Sequence, residues 1–300
     1  MRHIIESQQF DRKTISQIFS LADRLKSKTG QPLKGKIMAT LFYEPSTRTR
    51  FSFESAMHRL GGQVLTTENA KEFSSVSKGE TLEDTIRVIG GYADVIVLRH
   101  DEIGASKRAA LVSTVPIINA GDGAGQHPTQ ALLDLYTVQK EIGKLDGIHI
   151  AFVGDLLHGR TIRSLAYLLS KYRRVSITFV SPRALRVGSD IKDYLKKRGV
   201  TYTETEDLST VIQTADVIYQ TRIQKERFKN LKTYQRFKGY YRIDVAMAKQ
   251  MKKGAIIMHP LPRVDEIAVE VDNLPQAVYF KQAAYGLLIR MALLQYIFQK

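Results

Sequence analysis

The sequence predicts an α/β protein of two doubly wound parallel-sheet domains, with an active site in the cleft between them. Three observations lead there. Short apolar, β-branched runs recur along the chain with helical patterns between most of them, as in parallel sheets covered on both faces. About half of these runs precede residue 130 and half follow 145, and 300 residues suit two domains of about 150 each. Residues able to hold oxyanions also fall directly after the runs, where such sheets bind ligands.

The elements follow in order. "TISQIFSLADRLK" is an amphipathic helix with Ile15, Ile18, Leu21, Ala22 and Leu25 on one face. "KIMATLFY" is the first strand, and Phe51, Phe53, Met57 and Leu60 behind it recur at helical spacing. The helix "LEDTIRVIGGY" leads to the strands "ADVIVLRH" and "VPIINAG", and a helix over 128–143 joins the halves. The second half holds "HIAFVGD", the helix "RTIRSLAYLLSKY", and the strands "VSITFVS", "ADVIYQTR" and "AIIMHPL". A strongly apolar helix, "AAYGLLIRMALLQYIFQ", closes the chain. No internal repeat or low-complexity linker interrupts this order.

Composition removes several function classes. The absence of cysteine excludes disulfides, thiolate zinc sites and a Cys nucleophile. No His pair has helical metal-ligand spacing, so no metal is expected. "FVGDLLHGRT" lacks G-x-G-x-x-G, which leaves a nucleotide cofactor weakly supported. No apolar run approaches the roughly 18–20 residues of a membrane span, and "MRHIIESQQFDRK" lacks a signal-peptide core, so a cytoplasmic protein is expected. The net charge of +15 suits nucleic acid, acidic lipid or small anions alike, and its basic residues are widely spread apart from a denser stretch over 222–253.

The densest chemistry lies in "FYEPSTRTRFSFE", where Ser46, Thr47 and Thr49 surround Arg48 and Arg50 at a strand-to-helix junction. Free backbone N–H groups at a helix start favour anions, and arginine adds a planar donor fork. An N-cap alone needs one hydroxyl, and here there are three. Arg99 and His100 follow the next run; "GDGAGQHPTQ" then places His127 and Gln130 at another helix start. In the second half come Arg160 and Thr161, then Arg222, Gln224 and Arg227, then "HPLPR" with His259, Pro260, Leu261, Pro262 and Arg263. Each piece also has a plain reading: a tight glycine turn, a strand-end cap at Asp155, a proline-stiffened loop, a solvated charge run. Their shared position at strand ends implies a cleft that holds several negative charges.

The strings FYEPSTRTRFSFE, SSVSKGETLEDT, NAGDGAGQHPTQALLDL, VGDLLHGRT, TRIQKER and HPLPRVDEI, in this order, resemble the aspartate carbamoyltransferase catalytic-chain family over essentially the whole chain. The resemblance implies transfer of the carbamoyl group of carbamoyl phosphate to the amine of L-aspartate, a step of de novo pyrimidine biosynthesis. It implies a carbamoyl-phosphate-binding domain over 1–130, completed by a C-terminal helix over 285–300, and an aspartate-binding domain over 131–284. Ser46, Thr47, Arg48 and Thr49 would then hold the phosphate. Thr49, Arg99 and His127 would polarise the carbonyl oxygen, and Gln130 would bond the carbamoyl amide. Pro260 and Leu261 would offer backbone carbonyls to the amines. Arg160, Thr161, Arg222 and Gln224 would hold aspartate, helped by Ser74 and Lys78 of a neighbouring subunit in a homotrimer. No cofactor is implied; in some organisms a regulatory or dihydroorotase chain joins the assembly.

Two alternatives stand beside this. Ornithine carbamoyltransferase shares the STRTR cluster but typically carries H-C-L-P, whereas this chain has His259-Pro260-Leu261-Pro262 and no cysteine. A cationic ornithine side chain also suits Arg222 and Arg227 poorly. A nucleic-acid-binding protein would explain the charge but not oxyanion donors at strand ends, so no nucleic acid is expected. The chain departs from the family at "FKNLKTYQRFKGYYRID", rich in Lys and aromatics, and at Gly125, where many relatives carry Asn.

Overall fold

The computed structural model describes residues 2–27, 30–73, 78–224, 228 and 230–299, and the elements below are those of the described residues. Ser74 and Arg227 of the expected site lie outside them. The chain divides into two compact units, Met1–Leu133 with Ala284–Lys300, and Asp134–Ala283.

The first unit holds β1 (Ile37–Phe42), β2 (Gln63–Glu68), β3 (Val95–His100) and β4 (Ile117–Asp122), in the spatial order β2-β1-β3-β4. All three pairings are parallel. Ile4 adds a short parallel bridge outside β4, its N–H donating to the Ile117 carbonyl at 2.8 Å, which covers that edge. β3 and β4 are buried along their whole length, including the polar Arg99, His100, Asn119 and Asp122 toward their ends. On one face Ala39, Leu41, Ile96 and Leu98 pack with Ile86 and Ala109 from the covering helices. The closing helix, Tyr279–Phe298, supplies Arg290, whose guanidinium lies 5.2 Å above the ring of the fully buried Phe53. Truncating such a ring to alanine costs about 3–5 kcal/mol.

The second unit holds β5 (His149–Val153), β6 (Ser176–Val180), β7 (Thr201–Thr205), β8 (Val217–Gln220) and β9 (Ile256–Met258), ordered β7-β6-β5-β8-β9. Its four pairings are parallel as well. Ala151, Val153, Ile218 and Ile257 form one face of its core with Ile243, Ala248 and Tyr279.

Both sheets therefore contain a point where strand order reverses, between β1 and β3 in one and between β5 and β8 in the other. In sheets of this kind a crevice opens beyond the carboxyl ends of the two strands at that point.

The expected strand set lacks β2 and β7. Both are polar edge strands, "QVLTTE" and "TYTET", in which no residue is fully buried. Their stability comes from backbone bonds to one neighbour, which leave little hydrophobic trace in the sequence. The helices Ala105–Val112, Ser189–Lys197 and Leu231–Phe237 were not expected either, being short and bounded by Gly104, Gly188 and Asn230.

Candidate active site

At the reversal point of the first sheet, β1 runs into Tyr43 and Glu44, and the helix Thr47–Arg59 begins. Ser46 occupies the N-cap position, yet its hydroxyl makes no capping bond. The cap reading of the cluster therefore fails for the residue best placed to satisfy it. Thr47 and Arg48 are exposed, Ser46 is half-buried and Thr49 is buried at the first turn. Backbone N–H groups without helical partners point out of such a turn, and the positive end of the helix dipole lies there.

The two arginines of STRTR part company. Arg50 bonds the Glu68 carboxylate of β2 at 2.8 Å and lies 3.9 Å from Glu54, one turn on. It ties the helix to the sheet, beside a ladder in which Thr40 and Thr66 both donate to Glu54. Arg48 stays on the exposed side of the turn.

Arg99 ends β3 beside this turn. Its guanidinium bonds Glu44 at 2.9 Å and donates to the Ala120 carbonyl at 3.2 Å. The Tyr43 N–H donates to the Arg99 carbonyl at 2.9 Å, so backbone and side chain together join the ends of β1 and β3. Sequence reading missed Glu44, although it stands two residues before the cluster.

After β4 the chain turns through "GDGAGQ". Asp122 organises this turn, its carboxylate accepting the N–H of Gln126 at 2.7 Å and of Gly104 at 2.9 Å. Gly123 has φ +52°, and an added Cβ would stand 2.4 Å from the Asp101 carbonyl oxygen. At Gly125 a Cβ would meet the Asp122 carboxylate at 2.8 Å, so in this chain the departure to glycine closes the turn tightly. The turn delivers His127, buried, to the start of the helix Pro128–Ile142, with Nδ1 3.3 Å from the Thr129 hydroxyl. Gln130 is half-buried one turn into that helix. Lys78 is exposed, ahead of the helix Leu82–Gly90.

At the reversal point of the second sheet, Asp155 follows β5 and is wholly buried. Its carboxylate accepts the His158 N–H at 3.1 Å and faces that ring's Nδ1 at the same distance. The bend this enforces brings half-buried Arg160 and Thr161 to the start of the helix Arg160–Leu169. On β8 the buried Tyr219 hydroxyl donates to Asp134 at 2.7 Å. Burial, and then the Asp134 charge, push this phenol well above its usual pKa.

β8 leads to Thr221, whose N–H and hydroxyl both donate to the Val153 carbonyl at 2.8 and 3.0 Å. Arg222 and Gln224 follow, half-buried. A pocket of about 310 Å³ opens here, lined among others by Arg222, Lys238, Tyr240, Tyr241 and Glu266. The aromatic residues of the departing segment have a structural account. Phe228 packs on Tyr234, Phe237 and His158, and the Tyr241 hydroxyl donates to the Glu206 carbonyl at 2.9 Å.

Pro260 and Leu261, half-buried, lie just past β9. Leu261 sits at φ +51°, a left-handed conformation that few non-glycine residues adopt. Its N–H donates to His259 Nδ1 at 2.7 Å, and His259 Nε2 meets Glu266 at 2.7 Å. Burial alone would raise the Glu266 carboxyl, but the His259 bond and backbone N–H groups hold it below its usual range. Arg263, which the sequence places among the oxyanion donors, is committed elsewhere. It makes a two-pronged contact with Asp272 and lies over the Tyr279 and Phe280 rings.

Residues 2–140 match the aspartate/ornithine carbamoyltransferase carbamoyl-P binding domain, and residues 146–297 match the Asp/Orn binding domain of the same family. This chain belongs to the aspartate/ornithine carbamoyltransferase family. It is 60% identical over 298 residues to aspartate carbamoyltransferase 1 of Pisum sativum, a chloroplastic protein, covering 97% of this chain and 77% of the pea one. The solved catalytic subunit of M. jannaschii aspartate transcarbamoylase matches with a TM-score of 0.90 at 52% identity, over 99% of this chain and 98% of that one. The Trypanosoma cruzi enzyme, solved with carbamoyl phosphate and aspartate, matches with a TM-score of 0.93 at 42% identity, over 98% and 96% of the two chains. Among the described residues, no helix is long and apolar enough to cross a membrane.

Proposed function

We infer that this chain is an aspartate carbamoyltransferase, transferring the carbamoyl group of carbamoyl phosphate to L-aspartate to give N-carbamoyl-L-aspartate and phosphate. The observation that carries it is the pair of cationic strand ends, Arg48 with Arg99 in one unit and Arg160 with Arg222 in the other, in a chain 60% identical to the pea enzyme. Carbamoyl phosphate brings a dianionic phosphate, and aspartate brings two carboxylates. One cluster suits each.

In this reading Ser46, Thr47, Arg48 and Thr49 hold the phosphate through hydroxyls, the guanidinium and helix-start N–H groups. Thr49, Arg99 and His127 donate to the carbamoyl oxygen, which gains charge as the amine attacks, and Gln130 bonds the carbamoyl amide. Arg160, Thr161, Arg222 and Gln224 hold the aspartate carboxylates. The amine nitrogen forms the new C–N bond, the C–O bond to phosphate breaks, and the departing phosphate takes the amine proton. Pro260 and Leu261 turn their carbonyls to the nitrogens.

We further assign the enzyme to a homotrimer in which Ser74 and Lys78 of one subunit complete the site of the next, Lys78 beside aspartate. An exposed lysine beside a polar segment is suited to that reach. Cytoplasmic residence is also proposed; the pea relative is chloroplastic, so fractionation of the source cells decides it.

The test is direct. Purified protein given carbamoyl phosphate carbamoylates L-aspartate and leaves L-ornithine untouched, as followed by carbamoyl-amino-acid release. A comparable rate with ornithine overturns the assignment.

A further inference from the structure

We propose that the buried His259–Glu266 pair is a positioning element that sets the Pro260 and Leu261 carbonyls for the attacking amine, an inference that rests on the carbamoyl-transfer reading. A backbone carbonyl has no rotamer of its own; it points where its peptide plane is held. Here the plane is held against preference, because Leu261 sits at φ +51°.

The holding is done by one imidazole. The Leu261 N–H donates to Nδ1 at 2.7 Å, so Nδ1 carries no proton and the ring is the Nε2–H tautomer. That proton goes to Glu266 Oε1 at 2.7 Å, and Glu266 Oε2 accepts the N–H groups of Val264 and Asp265 at 3.1 Å each. The segment from His259 to Glu266 is thereby closed on itself by side chains that are 1% and 6% exposed. The backbone of His259 is anchored as well. The His259 N–H donates to Gln282 at 2.9 Å, and Gln282 donates to Asp134 at 2.6 Å, which also accepts from Tyr219. Substrates would meet only the carbonyls, never the ring.

The chemistry gives such positioning a use. As the C–N bond forms, the amine nitrogen becomes cationic, and carbonyl oxygens aimed at it bind the transition state more strongly than the ground state. Loss of aim should lower kcat. The grip of Arg160 and Arg222 on the carboxylates, and hence the KM for aspartate, should survive.

Two substitutions separate positioning from core filling. His259→Asn places an amide oxygen near the Nδ1 position and still accepts from Leu261, without reaching Glu266. His259→Gln reaches Glu266 but offers nothing to the Leu261 N–H. Steady-state kinetics with aspartate, carbamoyl phosphate affinity by calorimetry, and thermal unfolding are measured on both and on the parent protein. The expected result for His259→Gln is a kcat loss of about thirtyfold or more, with KM and carbamoyl phosphate affinity within about threefold; His259→Asn recovers most of kcat. If His259→Gln does not fold, His259→Leu, which also offers no acceptor to the Leu261 N–H, must show the same split. Undiminished kcat in the folded variants overturns the proposal, as does a joint fall of kcat, affinity and melting temperature in both His259 variants. A parent protein inactive toward aspartate overturns the functional reading itself, which distinguishes the two failures.

Discussion

Arg99 and Glu44 are joined at 2.9 Å across the ends of β3 and β1, with Arg99 also bonded to the Ala120 carbonyl. The guanidinium we assign to the carbamoyl oxygen is thus held from two sides. Arg99→Ala should lower kcat by about 10²–10³, the usual loss for one oxyanion donor. Glu44→Ala should cost about tenfold, because Ala120 still holds the guanidinium. Equal losses in steady-state assays would mean that Glu44 acts on substrate directly.

Arg48 and Arg50 should fail in different ways. Arg48→Ala removes a charge-assisted contact of about 1.5–3 kcal/mol to phosphate and should cripple turnover at an unchanged melting temperature. Arg50→Ala removes the ties to Glu68 and Glu54 and should lower stability by about 1 kcal/mol while sparing carbamoyl phosphate affinity. Calorimetry with carbamoyl phosphate and denaturant melts separate the two.

Arg160→Ala or Arg222→Ala should raise the KM for aspartate by roughly tenfold or more, through loss of a carboxylate partner. Carbamoyl phosphate affinity should stay within about threefold. An equal loss at both substrates would show that the second unit has been given the wrong ligand.

Shared sites make a distinctive prediction. Arg48→Ala and Lys78→Ala chains, each nearly inactive, are dissociated, mixed in equal amounts and reassembled. A site is whole when its own Arg48 is intact and its neighbour donates an intact Lys78. In a cyclic trimer with random mixing, roughly one quarter of sites meet that condition, and activity should reappear accordingly. Hybrids that form and stay inactive return Lys78 to the role of a surface lysine.

Stability should fall in acid. Burial alone would raise Glu266, Asp94 and Asp216, but bonds from His259 to the first, Lys36 to the second and Lys252 to the third hold each below its ordinary value of 4.5 or 3.8. Carboxyls depressed in the folded state bind protons more weakly there than in the unfolded chain. Their contribution is therefore complete above about pH 4.5 and is lost as pH falls through the lowered folded values. The denaturant midpoint should be flat from about pH 6 to 5 and drop below about pH 4. Glu266→Gln should make that drop shallower; an identical slope would assign acid sensitivity to other groups.

The sequence by itself determined the fold class of this protein and placed its oxyanion-holding residue types after the strands. Buried parallel strands need apolar runs, and ligands of such sheets bind beyond their ends, so "DVIVLRH" or "HIAFVGD" announces a strand and a candidate site together. Pairing partners lie beyond its reach. β2 and β7 exist because an edge strand needs only the backbone of one neighbour, and "QVLTTE" and "TYTET" carry little apolar signal of it. The same limit governs side chains. Nothing local separates Arg48 from Arg50, or marks Arg263 as structural; Glu68 and Asp272 decide that once the fold brings them near. His259 stands in the sequence among the strand-end residues of "HPLPR", with nothing local to mark its partners. Only the folded chain gives it a backbone N–H on one nitrogen and a buried carboxylate on the other, because a tautomer is chosen by what surrounds the ring.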